Sequence, residues 1–99
     1  MPIRYIGLEK LEEEEVDSVI SLSDKYYTKV DRELNVNELI IDIKLNSVKG
    51  RRKEYTILTK AIFARNVLTA QASAWALRKS LHKVFAKLIN EINHKFRKR

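Results

Sequence analysis

The side chains of this 99-residue chain that could do chemistry are mostly cations, and they fall on three stretches. Lys25, Lys29 and Arg32 share one stripe of a helical pattern. Lys49, Arg51, Arg52 and Lys53 crowd a loop around Gly50. In the last third Arg78 stands near a helix start, and Lys79, Lys83, Lys87, His94 and Arg97 recur on the stripe opposite the apolar face. Cations repeated along regular elements suit the phosphates of a nucleic-acid backbone. Few aromatics are left to stack on single-stranded bases, so shape and phosphate contacts should outweigh base reading.

Other chemistries lack their parts. With no Cys there is no thiolate nucleophile, disulfide or thiolate metal site. His82 and His94 are twelve positions apart on one helix, too far in rotation and rise to share a metal. Val48-Lys-Gly-Arg-Arg52 lacks the spacing of a phosphate-binding loop, and no Ser sits in a nucleophile elbow. Asp42 and Glu54 could approach each other across a hairpin, where solvated strand carboxylates are the ordinary case. Glu12–Glu15 diverge around a helix axis and read as the favourable charge of a helix start. No set of residues meets the requirements of an active site, so a non-enzymatic chain without metal or cofactor is expected.

The elements that must position the cations follow from periodicity. Ile3–Leu8 is a short β-prone piece with Gly7 near its end. Val16, Val19, Ile20, Ser23, Tyr26, Tyr27, Val30 and Leu34 repeat at helical spacing and predict a helix over 12–34, about 34 Å long. Asn35-Val-Asn37 is the turn out of it. Leu39, Ile41, Ile43 and Leu45 alternate as a half-buried strand, and 46–53 reads as a hairpin loop with Gly50 at its bend. Tyr55, Ile57, Thr59, Ala61 and Phe63 alternate in the next strand, and Leu68, Ala70 and Ala72 in its partner after a tight connection at 64–66. Ser73 is a candidate N-cap for a last helix over 75–92, whose stripe is Leu77, Leu81, Val84, Phe85, Leu88 and Ile92. Trp75, at the strand-to-helix corner, is expected to cover the core edge. The order β-α-β-β-β-α predicts an α+β two-layer domain, with two helices on one face of a four-stranded, mostly antiparallel sheet. One RNA-binding-type domain should span 1–95, with a basic tail over 96–99.

Composition agrees with a folded, single-core chain: 44% of residues are apolar, with one Pro and two Gly. No run nears the roughly 18 apolar residues of a membrane span, and no long apolar signal region opens the chain, so a cytoplasmic protein is expected. The net charge of +7 is unevenly spread. Residues 1–24 carry two cations and seven acids, a net −5, and residues 25–99 carry a net +12. A polyanion would be drawn to one side and repelled by the other.

This organisation resembles the ribosome hibernation-promoting factor family, which includes the ribosome-associated inhibitor A proteins. The resemblance rests on the hairpin of Leu39–Leu45 and Tyr55–Phe63, the Ala-x-Ala rhythm of Val67–Ala74, and Leu81-x-x-x-Phe85-x-Lys87-Leu88. A basic ending close to the last helix is also family-like. Family members usually carry an Asp-x-Tyr cluster entering the last helix, where this chain has Ala74-Trp75-Ala76-Leu77-Arg78. Acidic positions along that helix are Lys or His here. The resemblance, to the short form, implies a fold related in shape to double-stranded-RNA-binding domains. It also implies binding in the neck of the small ribosomal subunit, blocking initiation and protecting idle ribosomes. Lys25, Lys29, Arg32, Lys79, Lys83 and Lys87 match the family's basic helix faces by position on the fold. A general double-stranded-RNA binder is an alternative. So is an assembly module using apolar area at Ile40, Leu58 and Ile62, and a monomer or weak dimer is expected.

Overall fold

The computed structural model describes residues 3–96, and the side chains of all of these except residues 33, 34, 47 and 96. The expected stripe residue Leu34 and the expected cation Arg97 therefore lie outside the described side chains. The chain runs β1 (Ile3–Ile6), a single 3₁₀ turn (Leu8–Lys10), α1 (Glu13–Leu34), β2 (Glu38–Lys49), β3 (Arg52–Phe63), β4 (Asn66–Ala74) and α2 (Leu77–Phe96). The sheet order is β1-β2-β3-β4. β1 pairs with β2 in parallel, and the two following pairs are antiparallel. This is the α+β two-layer architecture the periodicity predicts. Each helix follows a strand of the same direction and returns over the same face, so α1 and α2 run the same way.

Alternation decides which strand face meets the helices. Leu39, Ile41 and Ile43 of β2, Tyr55, Ile57, Thr59, Ala61 and Phe63 of β3, and Leu68, Ala70 and Ala72 of β4 are buried. α2 buries all six residues of its predicted stripe. On α1 the stripe is Val19, Leu22, Ser23, Tyr27 and Val30. Ile20, expected on that stripe, is 39% exposed, because it is turned about 100° from Val19 and Leu22 holds the inward position instead. Phe85 of α2 stacks on Tyr26 of α1 with ring centroids 4.7 Å apart and planes within 5°.

Two boundaries differ from the sequence reading. The hairpin loop shrinks to Gly50 and Arg51, since β2 passes a bulge between Leu45 and Ser47 and Lys49 pairs with Arg52. Gly50, at φ 61°, supplies the positive φ that a two-residue hairpin turn needs at its first position. The bulge keeps an apparently irregular sequence in the ladder, and it lets the hairpin run past Ala74, the last residue of β4 to pair with β3. Ser73 is not a helix cap: it lies in β4, where its Oγ meets the Thr56 hydroxyl at 2.7 Å, and α2 begins four residues later. Gly7 is fixed by space as well as by its φ of 96°, for a Cβ there would stand 2.2 Å from the Ile43 carbonyl oxygen.

Candidate nucleic-acid interface

The basic groups sort into three places. The first is the seam between the helices. Tyr26 lies at its centre, its hydroxyl sharing a 2.6 Å hydrogen bond with His82 Nδ1 of α2. Lys29 Nζ lies 5.7 Å from the centre of the Tyr26 ring. Lys25 and Arg32 stand four before and three after Lys29, and so share its helix face. Arg78, one turn before His82, shares that residue's face of α2. Lys25, Lys29, Arg32, Arg78 and His82 are all exposed. No acid pairs with any of the four cations among the described residues.

The second place is the far flank of α2. Of Lys79, Lys83 and Lys87, expected on the stripe opposite the apolar face, Lys83 and Lys87 lie across the helix from the seam, over the free edge of β4. Lys83 Nζ donates to the Ser73 carbonyl at 3.0 Å, and Lys87 Nζ to the Gln71 carbonyl at 2.9 Å. The periods match: four residues of helix rise about 6 Å and two of strand about 6.6 Å, so i,i+4 lysines meet successive outward carbonyls. An edge strand presents such carbonyls unpaired, and lysines over them block pairing with another chain. Lys79 is exposed and has no such partner among the described residues. His94 is exposed near the end of α2.

The third place is the end of the domain where the hairpin, the start of α1 and the corner before α2 meet. Glu12 N–H donates to a Glu15 carboxylate oxygen at 2.9 Å, closing a capping box. Lys53 pairs with Glu12 at 3.5 Å, and the Tyr55 hydroxyl donates to Glu15. The acidic run thus caps α1 and ties down the base of the hairpin. Burial pulls the Glu15 carboxyl upward, but the Tyr55 hydroxyl, the Glu12 N–H and nearby Lys53 outweigh it and hold it below the usual range. Burial, and then the Glu15 carboxylate, push the Tyr55 phenol well above its ordinary value. Lys49, Arg51 and Arg52 are exposed. Trp75, expected to cover the core edge at the strand-to-helix corner, stands at that corner 37% exposed, with the Arg52 guanidinium 5.0 Å from its ring centre.

On the open face of the sheet Val67, which pairs with Ile62, is 55% exposed. Ile40 is buried at 9% exposure, and Leu58 and Ile62 are half-buried. Asp42 and Glu54 are not brought together, because Asp42 pairs with Leu58 and Glu54 with Ser47. No group of three or more metal-ligating side chains occurs among the described residues. His82 is the seam residue sequence reasoning passed over. Its i+4 relation to Arg78 was visible, but its contact with Tyr26 depends on helix packing.

Two helices on one face of a four-stranded mixed sheet, in the order β-α-β-β-β-α, define the fold, and solved structures share it. A ribosomal subunit interface protein from Coxiella burnetii matches with a TM-score of 0.76 at 15% identity, over 100% of both chains. The N-terminal domain of Protein Y from Thermus thermophilus matches with a TM-score of 0.56 at 16% identity, over 94% of each chain. At these identities the likeness is one of fold, and the fold is the one implied by the sequence resemblance. No protein-family model matches the chain, and no curated protein matches it by sequence.

Proposed function

We propose that this chain is a non-enzymatic, ribosome-associated factor. It binds RNA of the small subunit through the basic seam between its helices, and so inhibits translation or protects idle ribosomes. The observation that carries the reading is a fold shared over the whole chain with a ribosomal subunit interface protein, combined with four exposed cations beside the seam that pair with no acid among the described residues. A protein that sets Lys25, Lys29 and Arg32 on one exposed face of α1, with Arg78 on the His82 face of α2, concentrates positive potential where a phosphate backbone can lie. Lys79 and the hairpin cations extend that field. Among the described residues the seam offers no exposed Phe, Tyr or Trp for stacking, which favours structured RNA held by its backbone. The domain acts as a monomer or weak dimer, with Lys83 and Lys87 guarding the open edge of β4.

The test is co-sedimentation of the purified protein with isolated small and large ribosomal subunits in low salt. Recovery with the small subunit, and release as salt rises, is the expected result. A protein that stays at the top of the gradient with both subunits overturns the reading. Equal affinity for free duplex RNA and for subunits would favour a general double-stranded-RNA binder instead.

A further inference from the structure

Trp75 is the only tryptophan of the chain, and the fold leaves 37% of it in solvent. It lines an open cleft of about 370 Å³ between the β2–β3 hairpin and the corner before α2. Ligand clefts run from about 300 Å³ upward, so this one is the size of a single small group. Its charges are already sorted. The one acid on its wall, Glu15, is held by the Tyr55 hydroxyl and the Glu12 N–H. Lys53 is paired with Glu12. Arg51 and Arg52 are exposed and have no acid partner among the described residues. The cleft therefore presents an indole with the Arg52 guanidinium over its ring, beside Arg51, and neither arginine is paired with an acid among the described residues.

We propose that this cleft takes an unpaired nucleobase of an RNA strand, stacked on the Trp75 indole, with Arg51 and Arg52 on the neighbouring phosphates. The inference rests on the RNA reading above and adds to it a site for a single-stranded nucleotide, distinct from the backbone contacts of the seam. The Arg52 guanidinium already lies over the ring, and it is a planar cation able to stack and to hold a phosphate oxygen by two hydrogen bonds. When a base arrives, Arg52 leaves the ring for the neighbouring phosphate, and the indole it uncovers is the platform. Stacking on an aromatic tolerates any base, so the site should bind single strands with little sequence preference. An acidic peptide would match the two arginines but not the flat apolar face.

Because Trp75 is the sole indole, its fluorescence reports this cleft directly. The full chain is titrated with single-stranded oligoadenylate, with duplex RNA of equal phosphate number, and with polyglutamate. Quenching by the single strand, with little from the duplex or from polyglutamate at matched saturation, is the expected result. Binding of labelled oligoadenylate, followed by anisotropy, should weaken about tenfold in Trp75→Ala and recover in Trp75→Phe, from the usual size of one base–aromatic stack. Unchanged emission on oligonucleotide binding, equal quenching by polyglutamate, or a Trp75→Ala variant that binds as tightly as the parent overturns the proposal. Binding to small subunits without quenching by the single strand would remove this site and leave the ribosome reading standing. Quenching without subunit binding would do the reverse.

Discussion

Replacing Lys83 and Lys87 together by Met should destabilise the fold, although both residues lie on the surface. Met keeps the long stem and most of the helix propensity but removes the ammonium groups that donate to the Ser73 and Gln71 carbonyls at 3.0 and 2.9 Å. A charge-assisted hydrogen bond at an exposed edge is worth about 0.5–1 kcal/mol net. The pair therefore contributes about 1–2 kcal/mol, and a domain of this size loses about 4–8 °C of Tm per kcal/mol, which gives about 4–16 °C. Thermal melts by circular dichroism measure it, with Lys79→Met as the control expected to stay within about 0.5 kcal/mol of the parent. The double variant should also associate at high concentration in light scattering, because β4 then presents open carbonyls. A double variant that melts with the Lys79→Met control and stays monomeric would refute the edge-capping argument, and both lysines would return to the pool of free cations.

Three further outcomes follow from the packing. Ser23 is wholly buried and, among the described residues, its hydroxyl has no partner beyond its interaction with the Tyr5 phenol; Ser23→Ala should raise stability by about 1 kcal/mol in denaturant melts. Gly7→Ala puts a methyl against the Ile43 carbonyl at a left-handed φ and should cost about 2–4 kcal/mol, read in the same assay. The Glu15 carboxyl is held below its ordinary 4.5, so its contribution is complete above about pH 5 and is lost as pH falls through the lowered value. Tyr55→Phe should therefore be less stable than the parent at pH 7, with the gap narrowing by pH 3, as denaturant midpoints at the two pH values would show.

What the sequence revealed depended on how local the cause was. The alternation in β3 and β4 and the six-residue stripe of α2 are set by burial on one face, and each was readable residue by residue. The placement of Ile20 was misread because apolar residues at 16, 19, 20 and 22 fit more than one stripe, and only packing against the sheet selects Leu22. The hairpin looked like an eight-residue loop because Asn46, Ser47 and the cations carry no alternation. A bulge and a two-residue turn nevertheless keep its strands paired to Lys49 and Arg52. The cations of the seam were visible as types and spacing, but not their neighbours. That Arg78 and His82 face α1 while Lys83 and Lys87 face β4 depends on how α2 is rotated on the sheet, which periodicity alone locates only to within a stripe. Trp75 was placed at the core edge from its position at the strand-to-helix corner, but its contact with Arg52 depends on how the hairpin folds over that corner.

The most direct measurement is the salt dependence of small-subunit binding by the parent chain and by a Lys25→Ala, Lys29→Ala, Arg32→Ala variant. All three side chains are exposed and none supports the core, so the variant should keep the parent's circular dichroism. If each cation neutralises one phosphate, the plot of log affinity against log salt should become shallower by about 2.7, at about 0.9 for each of the three phosphates no longer neutralised. A folded variant that binds with the parent's affinity and the parent's slope would contradict the basic seam as the ribosome-facing surface.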